Sequence, residues 1–127
     1  VRLTSENRGQ LLAPADVIVD ALASIDDRFV LEPGSKETET PFVHAAIDGF
    51  FGQLMTIFPQ DQGLVQIYGP NPSPPPSGLG NLPMTALSVA NLQAMEVIKI
   101  LLNRGQLMRN KLLTLELEQG VMEQFSF

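Results

Sequence analysis

The sequence predicts an α/β fold, a mixed β-sheet with flanking helices that ends in an antiparallel hairpin. Three observations carry this. A short β-branched run, Val17-Ile18-Val19, is followed at once by a helix-start signature. Two later apolar runs are joined by a connection too short for a helical crossover, so they pair antiparallel. A long apolar helix then precedes a segment that alternates leucines with polar residues. Uninterrupted runs suit parallel strands and alternating ones antiparallel strands, so the sheet is mixed.

The elements follow in order. Ser5 to Leu12 reads as a short helix stopped by Pro14. Val17 to Val19 reads as a strand buried on both faces of a parallel sheet. In Ser24-Ile25-Asp26-Asp27, Ser24 is the cap, Asp27 stands at the capping-box position, and both acids favour the positive helix end. That helix continues through Phe29-Val30-Leu31. Pro33-Gly34 predicts a kink or early stop, with Ser35 capping a new turn. Pro41 to Ile47 and Gln53 to Phe58 are the antiparallel strands, joined through Asp48-Gly49-Phe50-Phe51-Gly52. Asp61-Gln62-Gly63 is a turn, and Leu64 to Tyr68 a short extended piece.

Gly69 to Pro83 holds six prolines and is neither regular helix nor central strand. It reads as an exposed polyproline-like loop or as an arm docked on a partner. Met84 to Asn103 is the strongest helix. Gln93, Glu96, Lys99 and Asn103 form a narrow polar stripe, so the helix should be mostly buried, in the core or against a second subunit. Gly105 is its natural left-handed stop. Lys111 to Glu118 alternates, Gln119-Gly120 turns, and Val121, Glu123 and Phe125 alternate back, a hairpin with one buried face.

Composition narrows the function classes. The 127 residues make one domain, or half of a larger one. Apolar residues are 44% and charged residues only 17%, which excludes a disordered chain and implies extra buried or partnered surface. The formal net charge is −6, a poor basis for binding nucleic acid or a membrane surface. No cysteine is present, so disulfides, thiolate metal ligands and a thiol nucleophile are excluded on this chain. No apolar run reaches the roughly 18 residues of a membrane span, and no signal-peptide pattern opens the chain, so a cytoplasmic location is expected.

Motifs for other chemistries are missing. There is no G-x-G-x-x-G, no P-loop and no G-x-S-x-G. Gly78-Leu79-Gly80 lies in the proline loop, not between strand and helix. His44, the single histidine, sits on an apolar strand and reads as half-buried and structural rather than as a catalytic base. Asp20, Asp26 and Asp27 lie at a strand's C-terminal end, where open α/β sheets bind ligands. A magnesium or nucleotide role competes there with simple capping by Asp26 and Asp27.

Asp16-Val17-Ile18-Val19-Asp20-Ala21-Leu22-Ala23-Ser24-Ile25-Asp26-Asp27-Arg28 resembles a segment of the ThiF/MoeB/HesA proteins, bacterial relatives of ubiquitin-activating enzymes. Pro41-Phe42-Val43 with Gly52-Gln53 is similar to that family's strand pair, and Leu92-Gln93-Ala94-Met95-Glu96-Val97-Ile98-Lys99 to its L-Q-A-x-E-x-I-K helix. Leu113-Thr114-Leu115-Glu116-Leu117 fits its closing strands. The resemblance covers nearly the whole chain but only the C-terminal half of the family's Rossmann-like adenylation domain. It implies adenylation of the C-terminal glycine of a ubiquitin-like sulfur carrier with ATP and magnesium, and a homodimer.

Carried over residue by residue, the resemblance implies a crevice for nucleotide and carrier tail at Asp20, Ala21, Leu22, Ala23, Ser24 and Arg28. Ala23 stands where the family has a magnesium-holding aspartate, and alanine has no oxygen ligand. No catalytic or metal-ligating residue and no bound ATP or magnesium are therefore expected of these 127 residues alone. The alternative is a degenerate, non-enzymatic homologue serving as a dimerisation or carrier-docking module.

Overall fold

The computed structural model describes residues 1–73 and 80–127. Strands β1 (Ile18–Val19), β2 (Phe42–Asp48), β3 (Phe51–Ile57), β4 (Lys111–Glu116) and β5 (Val121–Ser126) form one sheet in chain order. β1 runs parallel to β2, and the remaining neighbours are antiparallel. Helices α1 (Arg8–Leu12), α2 (Ile25–Glu37), α3 (Val65–Tyr68) and α4 (Pro83–Leu102) complete the described elements. The mixed α/β sheet expected from the sequence is what forms.

Strand alternation builds two cores. Ile18, Phe42, Met55 and Ile57 pack with Leu31 of α2 and with Leu64 on one face. Val43, Ala45, Leu54, Leu113 and Leu115 pack with Val89 of α4 on the other. α4 comes close to β3 because Gly52 leaves room: a Cβ there would stand 2.5 Å from the Val89 side chain.

Several expectations are corrected. β1 is an edge strand rather than one buried on both faces, and Val19 is exposed. α1 is shorter than expected. α2 begins at the Ser24 cap as expected, but it runs through Pro33-Gly34 to Glu37 without stopping. Tertiary contact outweighs propensity there: Gly34 lies against α1, where a Cβ would meet Leu12 at 2.6 Å. Ser35 does not cap a new turn; its hydroxyl donates to the Glu32 carbonyl at 2.7 Å. Residues 65–68 form the helical turn α3, not an extended piece. Four residues are too few for periodicity to separate helix from strand. Pro74 to Leu79, the centre of the proline-rich stretch, lies outside the described residues.

The largest correction concerns α4. Its polar stripe faces inward and its apolar flank outward. Gln93 and Glu96 are buried, whereas Met84, Leu87, Met95, Ile98, Leu101 and Leu102 are exposed. The helix has the length and mean hydropathy, 1.3, of a membrane span, contrary to the expectation that no segment does. It nevertheless packs on β2 and β3 through that stripe. It ends at Asn103, with φ 48°, before Gly105 is reached. β5 has no buried face either: Val121, Met122 and Phe125 are all exposed, because β5 is the far edge of the sheet.

Candidate functional site

At the carboxyl end of β1 the sheet opens into a crevice of about 930 Å³. All six residues expected there, Asp20, Ala21, Leu22, Ala23, Ser24 and Arg28, line it. The short β1, the immediate turn and the Ser24 cap put them together. The Ser24 Oγ accepts from the Asp27 N–H at 3.3 Å, starting α2 beside the crevice.

Asp20 is the hub. Its side chain is fully buried, and Oδ2 accepts from Arg28 Nε at 2.8 Å and from His44 Nδ1 at 2.7 Å. Its Oδ1 accepts from the Leu22 N–H at 2.9 Å. Asp20 therefore does not cluster with Asp26 and Asp27. Those two occupy the first turn of α2, where Asp27 also pairs with Arg2. Arg28, reached one helical turn after the cap, is buried as well. It donates to the Leu22 and Ala45 carbonyls, so its guanidinium is committed to the wall.

His44 is fully buried, deeper than the half-buried place expected. A carboxylate can only accept, so Nδ1 carries the proton and Nε2 of the neutral ring is the acceptor. The Tyr68 hydroxyl lies 3.2 Å from that Nε2, and Gln53 Nε2 donates to the same hydroxyl at 2.8 Å. Burial lowers the His44 pKa, against the pull of Asp20. Burial likewise raises that of Tyr68.

The reading of sequence missed Tyr68, Gln53 and Gln93 as crevice residues, though all three line it. Gln93 Nε2 donates to the Asp20 carbonyl at 2.8 Å and to the Val43 carbonyl at 3.1 Å, tying α4 to β1 and β2. The signal was present, since Gln93 and Gln53 lie in two of the segments that carried the resemblance. Nothing in the sequence pointed to Tyr68.

Fit to magnesium can be tested on the oxygen donors. The cation needs several oxygens in near-octahedral array. Both Asp20 oxygens already accept hydrogen bonds, and Ala23 offers no oxygen. Among the described residues no three His, Cys, Asp or Glu side chains are grouped to hold a metal. These residues do not form a magnesium site. A triphosphate fits no better: Arg28, the crevice's cation among the described residues, is spent on Asp20, and Asp26 and Asp27 occupy the positive end of α2.

Comparison with known proteins agrees with this architecture. The ThiF family matches residues 1–126. The SAMP-activating enzyme E1 of Haloferax volcanii is 32% identical over 119 residues, covering 88% of this chain and 43% of that protein. Protein HesA of Nostoc is 30% identical, covering 92% and 47%. The sulfur carrier protein adenylyltransferase of Thermus thermophilus is 33% identical, covering 89% and 45%. The chain thus spans less than half the length of these relatives. In fold it resembles the selenomethionine crystal structure of PaaA, with TM-score 0.67 and 11% identity over 99% of this chain and 39% of that one.

Proposed function

The chain belongs to the ThiF family, and we propose that it supplies the carrier-tail side of an ATP-dependent adenylation, in which the C-terminal glycine of a ubiquitin-like sulfur carrier is activated. One observation carries this reading. The crevice is walled in part by Ala21, Ala23, Ala45, Ala46, Ala86 and Ala90, carries Asp26 and Asp48 at its lining, and has no uncommitted cation among the described residues. Small apolar walls admit a slender extended chain and hold it by shape and backbone contacts. Phosphate recognition needs charge-assisted donors, which this crevice lacks. In this division of labour Asp20, Arg28 and Gln93 keep the wall rigid. ATP is bound and its phosphates are neutralised by groups outside these 127 residues. The protein would work in the cytoplasm, without nucleic acid or membrane as partner.

The experiment is a pair of titrations on the 127-residue chain. A peptide ending in Gly-Gly-carboxylate should perturb the amides of Ala21 to Ser24 and of Ala45 in an NMR titration. ATP with magnesium should give no micromolar binding by calorimetry. Micromolar ATP binding, or peptide shifts remote from the crevice, would overturn the reading.

A second reading has its own support. The outer flank of α4 and the whole of β5 carry exposed Met84, Leu87, Met95, Ile98, Leu101, Leu102, Val121, Met122 and Phe125. Such apolar surface fits a homodimer or a docking module without its own catalysis. Monomeric sedimentation at high micromolar concentration counts against it.

A further inference from the structure

His44 and Tyr68 have no part in the reading above, yet they connect the buried Asp20 carboxylate to the crevice. We propose that His44 is a positioning residue for the crevice: held by Asp20, its imidazole fixes the Tyr68 hydroxyl, and so the aromatic wall, where a peptide tail is gripped. The inference rests on the tail reading of the crevice.

The geometry is a chain of hydrogen bonds running from Asp20 to Gln53. His44 Nδ1 donates to Asp20 at 2.7 Å, Tyr68 donates to Nε2 at 3.2 Å, and Gln53 donates to Tyr68 at 2.8 Å. The two rings also meet edge to face, with centroids 5.7 Å apart. Tyr68 is the last residue of the four-residue α3. The Leu64 N–H, at the start of that turn, is tied to Glu32 Oε1 at 3.1 Å. The Tyr68 hydroxyl is therefore the polar tether that fixes the far end of the turn to the sheet.

Protonated His44 presents N–H at both nitrogens. The new Nε2 proton points at the Tyr68 hydroxyl and at the Gln53 amide nitrogen, 3.3 Å away. The Tyr68 oxygen accepts that proton once Tyr68 turns its own hydrogen aside, and Gln53, its amide turned over, offers Oε1 to the Tyr68 O–H, so protonation reverses the bonds of this chain rather than breaking them. The charged and titratable groups around His44 are Asp20, Arg28, Glu32 and Tyr68 itself. Asp20 and Glu32 favour the proton, Arg28 opposes it, and burial opposes it most.

The chain has one histidine, one tyrosine and no tryptophan, so imidazole NMR reports His44 alone and intrinsic emission reports Tyr68 alone. In His44→Leu, acrylamide should quench Tyr68 more readily than in the wild type, and His44→Gln should restore part of the protection. Affinity for a Gly-Gly-carboxylate peptide should fall about tenfold in Tyr68→Phe, as for one lost hydrogen bond. Unchanged peptide affinity in Tyr68→Phe overturns the proposal. Unchanged Tyr68 quenching in His44→Leu overturns it whether or not peptide binds. If no form binds peptide while Tyr68 quenching follows His44, the tail reading fails and the link between the two residues stands.

Discussion

Two buried carboxylates hold this domain together from opposite faces of the sheet, and their partners differ in kind. Glu96, on α4, accepts from the Thr56 hydroxyl at 2.7 Å and from the Met108 N–H at 2.9 Å, and pairs with Lys99 one turn on. It ties helix, strand and loop, away from the residues that line the crevice. Asp20 ties as many elements, but its side-chain partners are Arg28 and His44, and it borders the crevice. Glu96 has neutral donors and a partly exposed lysine. Asp20 has a buried cation and a titrating ring. A carboxylate of the first kind secures a fold. One of the second kind also couples the fold to proton uptake and to whatever enters the crevice.

The sharpest way to break this contrast is to remove each carboxylate. Asp20→Ala strands the Arg28 guanidinium in the interior and unpins His44. It should cost about 3–5 kcal/mol, the usual penalty for breaking one side of a buried pair, and should leave the chain barely folded. Glu96→Gln keeps one acceptor oxygen and removes no partner of buried charge, since Lys99 reaches solvent. It should cost about 1–2 kcal/mol. Urea denaturation of both variants orders them, and a larger loss at Glu96 would reverse the comparison.

Proton linkage sharpens it further. Burial lowers the His44 pKa below its ordinary 6.5. The unfolded chain then takes up a proton near pH 6.5 that the folded chain refuses until its own lower pKa is reached. Stability is therefore full above about pH 6.5 and declines as pH falls from there to the folded value, by about 1.4 kcal/mol per pH unit at most. His44→Gln should remove this part of the acid decline, and Glu96→Gln should leave it in place. Thermal melts between pH 7.5 and pH 5 measure both.

How much of this was legible in the sequence follows from the same contrast. The cap at Ser24, the β2–β3 hairpin and the length of α4 were readable, because they are encoded in neighbouring residues. The six crevice residues were placed by the family resemblance, and they do come together. What could not be read was long-range partnering. A stripe of Gln93, Glu96 and Lys99 on an apolar helix looks like a solvent face. Here Gln93 bonds two strand carbonyls, and Glu96 bonds a strand hydroxyl and a loop N–H. Periodicity locates a stripe without saying which side of it is in. Tyr68 was invisible for a similar reason: its role depends on His44, 24 residues away.

The smallest effect on folding is expected on the outer flank of α4, where the comparison of faces can be turned on the second reading. Leu87 is 65% exposed and Leu101 58% exposed, so neither buries much within one copy of the chain. Replacing an exposed leucine by a charged residue away from caps and cores typically changes stability by no more than about 0.5 kcal/mol. Leu87→Glu with Leu101→Glu should therefore melt close to the wild type at micromolar concentration. If the flank faces a second copy, each leucine becomes part of an apolar interface core, where an unpaired carboxylate is costly. Sedimentation velocity should then show the wild type associating at concentrations where the double variant remains monomeric. Gln93→Leu, on the opposite side of the same helix, should behave in the reverse way, losing stability while association persists. Equal association of wild type and double glutamate variant would mean that the α4 flank is not the interface, leaving the exposed β5 edge as the surface to test.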